Sequence, residues 1–320
     1  MVDVYGGLWF ENLVAQDQHF VLQCVLFERG IIQGIQMRVA HSSYTPGVTT
    51  DDLPGIVARL PTGMPVFVHF GAENCGVDFA ERFDETGSYA IRGRPLDRSW
   101  AEWCAETIVW GKCVARAAVR PHGIPMGVVH PGYGQYHDDG EARRRMMDAL
   151  GGLDDGSCLA VENVPPVVKR EWYEAVIGAR TSWSRDMFWG FGGTPEDMEM
   201  LLVALGSGWR CLIDFTHVAV AVNQYTVLAK ESPTCSVLDW FDRSIAAYLA
   251  LPHWPICHFS GIPPTLIDVS DYMDAPAPAP IRDALKTMEI VCLEIPFRQW
   301  SAERIIADFR ARYLDARGPV

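Results

Sequence analysis

Arg210-Cys211-Leu212-Ile213-Asp214-Phe215-Thr216-His217 is the stretch on which the fold reading turns. Cys211, Leu212 and Ile213 follow one another without the polar alternation of a strand that has one wet face. Such a run reads as a strand buried on both sides. It ends on a carboxylate, with an imidazole three residues later. Working outward, seven more short runs have the same character, at residues 2–5, 35–40, 66–68, 126–129, 158–161, 256–257 and 290–293. Helix-like segments lie between them. Residues 99–118 start on a Ser cap, and Thr194-Pro195-Glu196-Asp197 places a cap, a Pro and two acids ahead of the apolar spacing of residues 198–205. Residues 236–249, 280–287 and 301–314 read the same way. Eight buried runs separated by helices point to a closed parallel (β/α)8 barrel, an α/β fold, formed by residues 1–320 as one domain. An open doubly wound sheet lacks support, because no Gly-rich phosphate loop follows the first run. Gly190-Phe191-Gly192-Gly193 precedes a helix but follows Trp189, not a clear strand.

Composition bounds the function classes. The 320 residues are 49% apolar, which excludes a disordered or collagen-like chain. With 27 Lys+Arg against 40 Asp+Glu the net charge is −13, which argues against a non-specific polyanion binder. Met1-Val2-Asp3-Val4-Tyr5 lacks the basic start and apolar stretch of a secretory signal. No apolar run approaches the ~18 residues of a membrane span. The nine Cys include no CxxC pair, and Cys158, Cys211, Cys257 and Cys292 sit inside apolar runs. They read as buried free thiols of a cytoplasmic protein.

The chemistry stands at the ends of the runs. From the third run to the eighth, the residue that follows is His69, His130, Glu162, Asp214, His258 and Glu294. In a parallel barrel all six lie at the carboxyl face. Any one of them could be an ordinary hydrogen-bonded residue or a helix cap. Six consecutive strand ends carrying only His, Asp or Glu are not explained that way. Three imidazoles and three carboxylates converging on one mouth imply divalent metal, and the mixed N/O donors suit Zn, Mn or Fe. Two divalent ions against three carboxylates would leave a local charge of about +1, suited to an anionic substrate. His19, His122, His137 and His253 read as surface residues, and His41 as a loop residue.

These motifs resemble the apurinic/apyrimidinic endonuclease family 2 (endonuclease IV-like), within the xylose-isomerase-like barrels. The residues that carry the resemblance are Arg210 to His217, read as C-(apolar)-D-x-x-H, the His130-Pro131-Gly132 step, and Glu162-Asn163. The resemblance implies that His69, His130 and Glu162 hold one ion. Glu162, Asp214, His258 and Glu294 would hold a second, with Glu162 bridging. It also implies that the ions activate water for attack on phosphorus. The third ion of that family needs an Asp-x-His after the seventh strand. Here Asp271-Tyr272-Met273 puts Met in place of that His, and His258-Phe259-Ser260-Gly261 replaces the family's His-x-Asn-Asp. Two ions are therefore expected, with His217 a catalytic or substrate-contacting residue near Asp268, Asp271 or Tyr272. Ala72 stands where DNA-repair members place a duplex-probing aromatic.

The expected activity is hydrolysis of a phosphoester or other anionic substrate. The alternative is a sugar isomerase or epimerase in which Glu162 and Glu294 serve as acid and base beside a single ion. A metal-stabilised scaffold without catalysis is a third, weaker reading. Arg38, near the end of the second run, could meet an anionic group. Trp183, Phe188, Trp189 and Phe191 could stack a sugar or base, with Trp189 the chosen substrate contact; a packed lid explains them equally well. Arg143-Arg144-Arg145 and Lys169-Arg170 read as solvated helix faces. The expected partner is a small anionic or sugar-like molecule, with nucleic acid as the alternative and no membrane.

Overall fold

Eight strands close into a parallel barrel in the computed structural model, which describes residues 2–70, 100–119, 125, 127–131, 133–135, 144, 147–148, 150–151, 159–164, 188–190, 192–219, 221, 237–260, 279–294 and 302–315. The barrel strands are β1 (Asp3–Trp9), β2 (Gly34–Val39), β3 (Val66–Phe70), β4 (Gly127–Val129), β6 (Leu159–Glu162), β8 (Arg210–Asp214), β9 (His253–Phe259) and β10 (Ile290–Leu293). They follow one another around the barrel in chain order, and β1 closes the ring by pairing with both β2 and β10. Two short strands outside the ring, β5 (Tyr133–Gln135) and β7 (Phe188–Gly190), pair antiparallel with Tyr133 opposite Gly190. The described helices are α1 (Phe10–Ala15), α2 (Gln18–Glu28), α3 (Leu53–Val57), α4 (Trp100–Ala118), α5 (Pro195–Leu205), α6 (Val237–Ala250), α7 (Ala279–Thr287) and α8 (Ala302–Phe309). The expected (β/α)8 barrel is therefore the observed fold. None of the described helices is long and apolar enough to cross a membrane.

Local chemistry explains where elements begin. Asp17 caps α2, its carboxylate accepting from the backbone N–H groups of His19 at 2.8 Å and Phe20 at 3.2 Å. Thr194 caps α5, accepting from Asp197 N–H at 3.1 Å, with Pro195 at the first helical position. That helix buries Met198, Leu201 and Leu202, spaced to share one face, and ends at Gly206, whose φ of +95° suits only glycine.

Two sequence expectations need correction. His253 is not a surface loop residue but the first, half-buried residue of β9. Leu251-Pro252 ahead of it masked the strand start, since Pro ends a helix and can precede a strand. The Gly190 segment does follow a strand, β7, although that strand belongs to the two-stranded pair and not to the barrel. His41 is a loop residue as expected, but a buried one. Its Nδ1 accepts from Ser43 N–H at 3.1 Å and its Nε2 lies 3.0 Å from Glu106.

Strand periodicity divides the core in two. One residue set faces the helices and includes Val4, Leu8, Met37, Val66, Val68, Phe70, Val129, Val161, Ile213, Phe259 and Leu293. A second, separate cluster fills the barrel interior: Tyr5, Phe67, Val128, Ala160, Leu212, Ile256, Ile290 and Cys292, with Trp254 packed against it. The outer layer is tight around Phe70. A Cβ on Gly127 of β4 would collide with its ring, and one on Gly111 of α4 would come within 2.5 Å. Cys211, Cys257 and Cys292 are buried free thiols, as expected; Cys158 lies outside the described residues.

Candidate metal centre

Side chains alternate along a strand, so the residue two positions after an interior one also points inward. Counting two from Phe67, Val128, Ala160, Leu212, Ile256 and Cys292 gives His69, His130, Glu162, Asp214, His258 and Glu294. The interior cluster is thus the floor of the mouth, and the six expected donors form the next layer above it. His69 and His258 share that end of the barrel, their rings stacked with centroids 5.6 Å apart. The His69 and His130 rings meet edge-on at 4.8 Å.

Glu162 is the hub. Its Oε2 lies 3.0 Å from His69 Nε2, 3.0 Å from His258 Nδ1 and 3.3 Å from His130 Nε2, and the side chain is fully buried. Three groups of donor atoms each fall within 4.8 Å of one another. They are His69–His130–Glu162, Glu162–Asp214–His258–Glu294 and His69–His258–Glu294. The first two are the two ligand sets expected from the sequence, joined at Glu162.

The donors fit a cation. Glu162 Oε1, Asp214 Oδ2 and His258 Nδ1 are buried and have no hydrogen-bond partner. An orphaned buried carboxylate oxygen is costly unless a positive charge meets it. The titration behaviour carries the same strain. Burial raises the Asp214 carboxyl, and neighbouring Glu162 and Glu294 add to this, so it reaches about 6 against the relief given by His217 and His258. Burial disfavours ionised Glu162 as well, but His258 and His130 more than offset this and hold it well below the usual carboxylate range. Burial lowers the His69 imidazole. Burial also opposes charge on His258, yet facing Glu162 and Glu294 brings it up to about 9.

Surrounding residues hold the donors in place. Asn163 accepts from Asp214 N–H at 2.6 Å and donates from its amide to Asp214 O at 3.1 Å, which locks β6 to β8 beside the site. His217 is buried and joins none of the three donor groups. Its Nδ1 is 2.7 Å from the Asn163 carbonyl oxygen, and its Nε2 lies 3.6 Å from Asp214 Oδ2. Asp268, Asp271 and Tyr272, expected beside it, lie outside the described residues, as do Ala72, Met273, Trp183 and Phe191. Trp189 lies on β7 opposite Gly134, and its side chain is outside the description. Arg144 is exposed and pairs with Asp148 at 3.3 Å, a solvated helix face as expected.

Arg38 reaches the mouth. Its Nη2 lies 2.7 Å from Glu294 Oε1, and its guanidinium carbon sits 5.8 Å from the centre of the Trp9 ring. Burial opposes ionisation of Glu294, but attraction to Arg38, joined by His258 and His69, outweighs that penalty and lowers its carboxyl. Sequence reasoning did not single out Trp9 or Gln36. Gln36 is fully buried on β2, with its amide nitrogen 2.8 Å from His258 Nε2. A polar residue in the middle of an apolar run was the available signal.

No protein-family model matches the chain, and no curated protein matches it. Solved structures do. The chain is 13% identical to a D-psicose 3-epimerase crystallised in the presence of D-fructose, with a TM-score of 0.53 over 97% of this chain and 99% of that one. It is also 13% identical to the TTHB071 protein from Thermus thermophilus, soaked with ZnCl2, with a TM-score of 0.51 over 96% of this chain and 98% of that one. At such identity the likeness establishes the fold alone, a (β/α)8 barrel.

Proposed function

We propose that this chain is a metal-dependent hydrolase holding two divalent ions and acting on a small phosphoester or similarly anionic substrate. The observation that carries the reading is Glu162. One buried carboxylate belongs to both a His69–His130 set and an Asp214–His258–Glu294 set, the arrangement of a bridging ligand. His69, His130 and Glu162 would hold the first ion; Glu162, Asp214, His258 and Glu294 the second. Zn, Mn and Fe suit these donors. Bound there, the ions would supply Lewis acidity and make water nucleophilic at neutral pH.

The chain's own groups complete the reaction. Arg38, at the rim, holds Glu294 in line and brings a guanidinium charge to where a substrate oxyanion would enter. His217, with Nδ1 against the Asn163 carbonyl and Nε2 3.6 Å from Asp214 Oδ2, is proposed to pass a proton to a leaving oxygen. Buried walls at Phe67, Val128 and Leu212 keep water from entering beneath the donors. Trp189 is proposed to contact the substrate from the β5–β7 pair, and residues 1–320 to act as one domain.

A second reading has its own support. The Glu162–Asp214–His258–Glu294 quartet is complete without His69 or His130. With one ion there, Glu162 and Glu294 could exchange a proton at the carbon beside a sugar carbonyl, and the chain would be an isomerase or epimerase. Metal-replete protein should be assayed by elemental analysis, by cleavage of bis(p-nitrophenyl) phosphate, and by scrambling of deuterium from solvent into ketoses. About two ions with diester cleavage supports the hydrolase. One ion with deuterium incorporation and no cleavage overturns it in favour of the isomerase.

A further inference from the structure

We infer that Gln36 is the positioning residue of the metal centre: its side-chain amide selects which nitrogen of His258 is free to take a cation. The inference rests on the metal reading above and deepens it. Gln36 and His258 are both fully buried, on β2 and β9, and meet through the ring nitrogen that points away from the carboxylates. Behind this contact are two orphaned atoms. Gln36 Oε1 has no hydrogen-bond partner, and neither does His258 Nδ1, although Nδ1 faces Glu162 Oε2 at 3.0 Å and Glu294 Oε1 at 3.5 Å.

Imidazole chemistry links the two orphans. With the amide nitrogen toward His258, Gln36 donates to Nε2, and the single proton of a neutral ring must sit on Nδ1, blocking it toward a cation. Turning the amide by about 180° exchanges its oxygen and nitrogen, which differ little in shape. Gln36 Oε1 then accepts from Nε2–H, and the Nδ1 lone pair faces Glu162, Asp214 and Glu294. A metal-ligating His ordinarily donates its other N–H to such an acceptor, which fixes the tautomer and raises its basicity. The acceptor orientation of Gln36 therefore frees Nδ1 for a cation, and Gln36 couples β2, which carries none of the six donors, to the second ion.

The test reads metal affinity and tautomer, not turnover. Zinc binding is measured by competition with a chromophoric chelator in wild type, Gln36→Met and Gln36→Glu. Long-range 1H–15N spectra of zinc-loaded wild type report which His258 nitrogen is ligated. Gln36→Met, matched in size but unable to accept, should weaken one zinc by about 10- to 100-fold. Gln36→Glu, which can only accept, should keep zinc binding. In wild type the spectra should show Nε2 protonated and Nδ1 ligated. Unchanged zinc affinity in Gln36→Met, equal losses in both variants, or zinc on Nε2 overturns the role of Gln36 alone. A wild-type chain that binds no zinc overturns the metal centre and this inference together.

Discussion

Raising the pH of the metal-free protein from about 6.5 to about 9.5 should destabilise it, and His258 contributes the largest single share of the loss. Burial alone would lower this imidazole. Glu162, 3.0 Å away, and Glu294, 3.5 Å away, reverse that and bring it up to about 9, against 6.5 for an ordinary His. A base raised on folding contributes stability that is fully present below pH 6.5 and is lost as pH rises through about 9. The gap between those two values is worth about 3 kcal/mol. At roughly 2 °C per kcal/mol for a chain of this size, Tm should fall by about 6 °C across the window. Asp214 titrates at about 6 and adds little. The Cys211, Cys257 and Cys292 thiols, pushed up by burial, add a further loss near the alkaline end, which remains in His258→Gln and is subtracted by comparison with it. The assay is calorimetry in chelator at several pH values, repeated with zinc. Zinc takes the place of the proton on His258, so the slope should flatten in the loaded protein. His258→Gln should also reduce it. An equal Tm at both ends of the window without metal, or an undiminished slope in His258→Gln, would refute the reasoning.

Glu162→Gln keeps the shape but removes the charge shared by both ligand sets; elemental analysis should show loss of at least one ion, with turnover down by at least ~100-fold. His217→Ala leaves all six donors in place, so metal content should be unchanged while turnover falls by about 100-fold; an ion lost with this side chain would instead make His217 a ligand. Gly127→Ala drives a methyl into the Phe70 ring and should cost about 1–3 kcal/mol in urea unfolding, partly recovered by adding Phe70→Leu.

The barrel and its donors were legible for one reason. A strand buried on both faces writes an unbroken apolar run, and the residue that ends it on the carboxyl side must either be polar or meet the mouth. Val66-Phe67-Val68 followed by His69 and Leu159-Ala160-Val161 followed by Glu162 say this without help from any neighbour. Gln36 escaped because an amide carries no charge and was absorbed into the run around it, though it reaches across the barrel to His258. The β5–β7 pair escaped because strands of three residues hold too few side chains to show a period. Asn163 was noticed as part of a motif, but its hold on both the N–H and the carbonyl of Asp214 depends on β6 lying against β8, which spacing along the chain does not encode.

The closure of the ring by β1 has a consequence for how the chain would breathe. The six donors sit on or just after six adjacent barrel strands, β3, β4, β6, β8, β9 and β10, while β1 and β2 supply none of them. Ions gathered at Glu162 would draw that six-stranded arc together like a purse-string. The two N-terminal strands would remain a hem stitched on from outside, able to unzip without spilling the metal. Amide hydrogens of β6 and β9 should then slow sharply on metal binding, while those of β1 and β2 slow only by the factor through which Gln36 tightens the ion. Because Gln36 and Arg38 ride on that hem, each unzipping would lift the amide from His258 and the guanidinium from Glu294. The arc would keep the ions, and the hem would set how tightly they are held.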